Sequence, residues 1–517
     1  MAGLEAWFRQ APQPASRNPK ESAGFIMNGG IQSEDHQESS GRRRKHRVAL
    51  RAGIGVAAAA GLFTFGLEGV GAAAAESPNV CVAANGEVRT PEQVSGTATC
   101  SASGQGSVAL ANGDSSSATV DGAHNTARVR GADSHSTATG GDGNTAIVTG
   151  DGSSATASGG DGNTATVQGD FSTARADDGD GNTATVEGDA SRAFATNGDG
   201  NTATVNGGGS LAEAGNGDGN TATVDGERSG ARATDGDGNT ATVNGDASGA
   251  SAGSIGGLGT GDGNTAVVNG DRSSAQAGLG DDNTAIVNGD DSRATTAGGG
   301  DGNTATVDGN GGNATAGGGD GNTATVQGDF STARADDGDA NTATVNGEVS
   351  LAEAGIGDGN TATVEGDTSR AYATNGDGNT ATVEGDASRA FATNGDGNTA
   401  TVNGGGSLAE AGNGDGNTAT VDGERSGARA TDGDGNTATV NGDASGASAG
   451  SIGGLGTGDG NTAVVNGDRS SAQAGLGDDN TAIVNGDDGR ATATTGGCVA
   501  EAGAGQQVTC PPVPAVE

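Results

Sequence analysis

The motif N-T-A-x-V begins at Asn125 and returns at Asn144, Asn163, Asn182, Asn201, Asn220 and Asn239, a constant step of 19 residues. A step of 25 leads to Asn264; Asn283 and Asn303 follow, the latter after a step of 20. The 19-residue step then runs from Asn303 to Asn436, a second step of 25 reaches Asn461, and Asn480 closes the series. A period this short and this long sustained excludes an ordinary globule, in which neighbourhoods differ from residue to residue. It calls for stacked copies of one small unit.

Each unit has two halves. Residues 160–168 read G-D-G-N-T-A-T-V-Q and residues 169–178 read G-D-F-S-T-A-R-A-D-D. Both are a Gly-Asp turn followed by a short alternating run, which is the signature of a strand. Alternation places Asn163, Ala165 and Val167 on one face, with Thr164 and Thr166 on the other. In the second half Ser172, Ala174 and Ala176 share a face opposite Thr173 and Arg175. With Ala and Val inward, two strands per coil make a flattened tube lined by methyl groups, Val and an asparagine ladder. The predicted fold is therefore all-β: an elongated two-sheet β-solenoid of 19-residue coils with disulfide-stapled ends.

Composition supplies the opposing reading. The 517 residues include 104 Gly, aromatics are 2%, and the hydrophobic share of 31% is mostly Ala. A core this thin buries little apolar surface, and disorder is the alternative. Residues 179–291 are identical to 376–488, so duplication accounts for part of the periodicity. The halves nevertheless vary differently. N-T-A-x-V persists, while the outward residues of the second strand run Thr173/Arg175, Arg192/Phe194, Leu211/Glu213 and Gly230/Arg232 around unchanged inward Ala. A packed face beside a free one produces that pattern. Because hydrophobic burial is weak, inter-coil backbone hydrogen bonds must offset much of the ordering cost.

The segments flanking the array divide the chain into a polar and basic leader (1–47), an apolar region (48–75), an N-terminal cap (76–120), the repeats (121–495) and a C-terminal cap and tail (496–517). The run Arg42-Arg43-Arg44-Lys45-His46-Arg47, the apolar stretch from Ala52 to Leu67 and the small residues Ala72–Ala75 form a secretory signal, with cleavage expected after Ala75 and Met27 an alternative start. An uncleaved anchor is the competing reading, but the apolar stretch is short for a span and is followed by Glu68. No stable membrane span is expected after cleavage, and the destination is outside the cell or at a bacterial cell surface.

Four cysteines fit an oxidising compartment. Cys81 and Cys100 lie just after the signal and Cys498 and Cys510 at the far end, which points to two local disulfides. The first pair is separated by one repeat length, so stacking would put its members in adjacent coils. A zinc site is the alternative, weakened by the lack of neighbouring histidine and of C-x-x-C.

Formal net charge is −41. The first 75 residues hold 9 Lys/Arg and 6 Asp/Glu, leaving 25 − 9 = 16 against 66 − 6 = 60, or −44, for the rest. Such a chain is a poor nucleic-acid ligand. Columns of turn aspartates, such as Asp161, Asp180 and Asp199, would repeat at about 4.8 Å and attract cations; calcium is the cofactor to consider, against the simpler reading of Asp as a turn residue. No catalytic constellation emerges, since histidine is confined to the first units of the array and lysine is absent from it. The chain is not expected to be an enzyme.

The pattern resembles the β-roll heads of trimeric bacterial adhesins, whose coils use N-[ST]-x-A-x-G-like steps with inward Ala and Val; the resemblance spans roughly residues 120–490. It implies a β-solenoid and an adhesive role. Repeat length departs from that family, and neither a heptad stalk nor a C-terminal membrane β-domain is present in this sequence, which leaves oligomeric state open. A second resemblance, to calcium-binding nonapeptide β-rolls, places Ala165 where the ligating Asp belongs.

One outward feature is sharper than the rest. Of 18 units from Asn144 to Asn480, 13 carry T-x-T and 5 carry Ile or Val at the second position (147, 267, 286, 464, 483). Thr164 and Thr166, Thr183 and Thr185, Thr202 and Thr204, Thr342 and Thr344, Thr361 and Thr363 would form two files on a flat face. This is similar to the T-x-T face of β-solenoid ice-binding proteins; the plainer reading is that Thr is a good strand former. The sequence thus leaves three functions: a secreted or envelope-associated structural and adhesive repeat protein recognising a surface ligand, an ice-binding protein, and an acidic, cation-binding disordered matrix component.

Overall fold

A computed structural model describes residues 80–85, 87–89, 97–253, 261–296, 298–450 and 458–510. The polar and basic leader, the apolar segment expected to be a signal, the extra residues near Ile255 and Ile452, and the tail around Pro511–Pro514 lie outside these residues. Among the described residues every regular element is a β-strand. The strands stack into a solenoid of about 21 coils with one strand of each coil in either of two parallel sheets. The disordered alternative is thereby set aside.

Register follows the repeat. In the first sheet Thr164–Gln168 pairs with Thr145–Thr149 on one side and Thr183–Val186 on the other, so that Thr164, Ala165, Thr166 and Val167 meet Thr183, Ala184, Thr185 and Val186. In the second sheet Thr173–Asp177 lies between Ser154–Ser158 and Arg192–Thr196. The 25-residue steps leave this intact: Thr240 still pairs with Thr265, and Gly249 with Ser274. The additional residues therefore fall between the second strand of one coil and the first strand of the next, where they displace no partner.

Ala165, Val167, Ala174 and Ala176 are fully buried, and Val is the largest side chain repeated through the core. Such a narrow interior is compatible with turns of only a few residues, and two kinds of glycine make those turns. A Cβ on Gly160 would sit 2.2 Å from the carbonyl oxygen of Gly179 in the next coil, so this column is emptied by close stacking. Gly181 has a φ of +69° and nothing within 4 Å of a would-be Cβ, so its demand is conformational alone. Ala340 occupies the same place with a φ of +56°, which shows what the second demand tolerates.

The ends depart from simple stacking. Val80–Ala84 runs antiparallel to Val108–Asn112 and, on its other edge, to Glu87–Arg89, so the first sheet ends in an antiparallel hairpin. Cys81 pairs in register with Ala111 of that sheet and Cys100 with Ala118 of the other. The Cys81–Cys100 disulfide, with a Cα–Cα distance of 5.7 Å, therefore joins the two sheets across the core. The expectation of cysteines in adjacent stacked coils is corrected here: the capping strand reverses direction, so its residues no longer follow the repeat's register. At the other end Cys498 occupies the asparagine position of a last coil, donating its N–H to the Asn480 Oδ1 at 3.2 Å, and is disulfide-bonded to Cys510. Coil stacking extends into both flanking segments, as Thr99–Ala102 pairs parallel with Ser117–Val120 and Val499–Gly503 with Thr481–Asn485.

Candidate interaction surfaces

Each coil turns two corners, and at a corner the backbone leaves the sheet with N–H groups that have no strand partner. Side chains of the neighbouring coil supply the acceptors. The inward corner asparagines form a ladder in which Asn182 N–H donates to Asn163 Oδ1 at 2.8 Å and Asn201 N–H to Asn182 Oδ1 at 2.9 Å. At the opposite corner Ser191 N–H donates to Ser172 Oγ at 3.1 Å, while the Ser191 hydroxyl donates to the Gly207 carbonyl at 2.6 Å. Both columns are buried.

The turn aspartates do the same on the outside. Asp161 N–H donates to Asp180 Oδ1 at 2.7 Å, and Asp180 N–H to Asp199 Oδ1 at 2.7 Å. One carboxylate oxygen of each is thus committed to holding the preceding coil, a structural reason for Asp beyond its turn preference. Among the described residues no three His, Cys, Asp or Glu side chains converge as ligands for a metal ion.

The outward face of the first sheet carries the threonine files. Thr164, Thr183 and Thr202 are register partners in one file, and Thr166, Thr185 and Thr204 in the other. Thr342 and Thr361, and Thr344 and Thr363, continue them along the array. All ten are half-buried. Among the described residues none of their hydroxyls hydrogen-bonds within the protein, so the files are available to solvent. The apolar interruptions lie in the second file only, as in the run Thr242, Val267, Ile286 and Thr306.

The outward face of the second sheet changes from coil to coil. Its arginines divide by file. In the mid-strand file, Arg175 pairs with Asp177, Arg232 with Glu213 at 2.9 Å, Arg334 with Asp336 at 2.5 Å, and Arg429 with Glu410 at 2.6 Å. In the other file Arg192, Arg293, Arg370, Arg389 and Arg490 are exposed and, among the described residues, carry no ion pair. Tyr372 and Phe391 stack face to face on adjacent strands, with ring centroids 5.1 Å apart and planes within 2°. Neither the stack nor the division of the arginines was read from the sequence. Both were foreshadowed by Arg370-x-Tyr372 and Arg389-x-Phe391 falling 19 residues apart.

Asp177 adds a buried charge at the edge of this face. It is 3% exposed and its Oδ1 is buried without a hydrogen-bond partner. Burial raises its pKa above the ordinary aspartate range, opposed by the hydrogen bond and charge of Arg175. Asp336, beside Arg334, is raised for the same reason.

These surfaces belong to a structural repeat protein of the two-sheet β-solenoid class. Comparison with known protein families and with characterised proteins finds no match for the chain.

Proposed function

We propose that the chain is a secreted or envelope-associated structural and adhesive repeat protein of a bacterium, without catalytic activity. The solenoid serves as a stiff spacer and the second sheet makes the contacts. The carrying observation is the contrast between sheets: around identical inward alanines, the outward residues of the second sheet change from Thr/Arg to Arg/Phe, Leu/Glu and Gly/Arg, whereas the first repeats threonine. Recognition of a surface ligand needs distinct side chains at defined places. Export is supported by the basic and apolar N-terminal segments and by the two disulfides at the ends of the array. The likeness to the β-roll heads of trimeric adhesins supports the adhesive role. Purified mature chain should bind cells or envelope material, with contacts mapping to the second sheet; binding that survives charge reversal along that sheet but is lost on changing the threonines overturns this reading.

Ice binding is the second reading, favoured by the free hydroxyls of the in-register threonine files. Substituting Thr342 and Thr344 with Lys or Tyr changes only outward positions. If the files bind ice, the parent chain shapes ice crystals and shows thermal hysteresis, and the variant loses both while keeping its β spectrum. An ordinary freezing profile for the parent chain disposes of it.

A further inference from the structure

We propose that Arg370, Arg389, Tyr372 and Phe391 form a binding site for an acidic glycan unit, a sugar ring bearing a carboxylate or a sulfate. This rests on the reading of the second sheet as the contact surface and names its ligand.

The four residues make a tile on two adjacent strands, Arg370–Thr374 and Arg389–Thr393. Register sets Arg370 beside Arg389 and Tyr372 beside Phe391. Neighbouring parallel strands are about 4.8 Å apart, and like charges facing each other at that spacing are unfavourable. Elsewhere on this sheet each arginine of the other file has a carboxylate partner. Here the outward acids of the two flanking strands are engaged elsewhere. Glu353, one coil before Tyr372, reaches back to Arg334 at 3.9 Å, and Glu410, one coil after Phe391, reaches forward to Arg429 at 2.6 Å. The order along the file is Arg334, Glu353, Tyr372, Phe391, Glu410, Arg429, with both carboxylates directed away from the centre. Arg370 and Arg389 therefore stand side by side without an ion pair among the described residues, on a chain whose net charge is −41.

An anionic oxygen pair relieves that repulsion, because guanidinium presents planar, paired donors suited to a carboxylate or sulfate. The stacked rings lie two residues along the same strands and offer an apolar step beside the anion. A charged group on a ring-shaped, largely uncharged body matches both halves. A nucleic acid matches them less well, since its contiguous phosphates would run past the tile into the acidic turn columns on either side, whereas a single sugar unit brings one anion to the arginines. The chain holds an internal comparison. Arg192 and Phe194 repeat the arrangement once only, because their strand neighbours are Thr173 and Arg175 on one side and Leu211 and Glu213 on the other.

The test is calorimetric titration of the full mature chain with an oligogalacturonate hexamer, its fully methyl-esterified counterpart and a thymidylate oligomer of similar length. Saturable, salt-sensitive binding of the acid is expected, with at least tenfold loss on esterification or in the Arg370→Gln/Arg389→Gln variant. Several-fold loss is expected in Tyr372→Ser/Phe391→Ser and little change in Arg192→Gln; unchanged β spectra certify folding. Equal binding of the ester, equal or tighter binding of the thymidylate, an indifferent double-arginine variant, or no binding to the acid each overturns the proposal. If the double variant still adheres to cells through the second sheet, this site fails while the adhesive reading stands; if adhesion maps to the threonine sheet, that reading fails as well.

Discussion

Asn360 N–H donates to the side-chain Oδ1 of Asn341, one coil earlier, at 2.9 Å, and both residues are fully buried. That contact recurs along the array, and it substitutes for the strand partner that a corner residue cannot have.

Replacing Asn341 with Ala should therefore strand a buried N–H and cost about 1–3 kcal/mol. Ser350→Ala, in the opposite ladder, should cost less, because Gly312 and Gly489 already stand in the serine column of the natural chain. Chemical denaturation of the two variants against the parent measures the difference. Equal costs would contradict the asymmetry.

The turns separate steric from conformational demands on glycine. Gly181→Ala should cost only about 1 kcal/mol, the left-handed penalty that Ala340 already bears. Gly160→Ala should cost more, since its Cβ meets the Gly179 carbonyl at 2.2 Å. Conversely Val349, exposed and β-branched at a φ of +55°, should be stabilising when changed to Gly, again by about 1 kcal/mol. Thermal melts of the three single variants check the order.

Asp177 makes stability depend on pH in a stated direction. Burial raises its pKa in the folded chain, so the folded state holds the proton more tightly than the unfolded state. The favourable contribution of this group is then full below the unfolded value and declines as pH rises through the folded one. Asp177→Asn should stabilise the chain at neutral pH, with the gain over the parent vanishing as the solution is acidified. A gain that grows towards acid pH would reverse the assignment.

The disulfide that joins the sheets at the N-terminal end should protect that end alone. Cys81→Ser/Cys100→Ser should lose about 2–4 kcal/mol, a value typical of a local loop closure. In a stack where each coil touches only its neighbours, the loosening should stay local. Hydrogen exchange should quicken over Thr99–Ala102 and Ser117–Val120 and remain unchanged at Thr342–Val345.

Much of the fold is legible in the sequence because the repeat is also the register. Parallel stacking places residue n against residue n + 19, so the periodicity of Asn163, Ala165 and Val167 directly specifies columns, and their alternation with Thr164 and Thr166 specifies which columns face in. Those placements need only strand geometry and the preference of Ala and Val for the interior. Other features depend on what lies across a column or around a corner. That Asn163 supplies an acceptor to the next coil, and Asp180 one to the previous coil, follows from how the corners leave the sheet. That Cys81 bonds across the core follows from the reversal of Val80–Ala84, which removes it from the repeat's register. Whether an outward arginine is neutralised depends on which way its neighbours' carboxylates turn: Glu353 and Glu410 turn outward, leaving Arg370 and Arg389 bare. Periodicity determines position in a column, whereas strand direction and the aim of long side chains are settled only when the coils pack, because only then do residues without a repeat relationship come within reach.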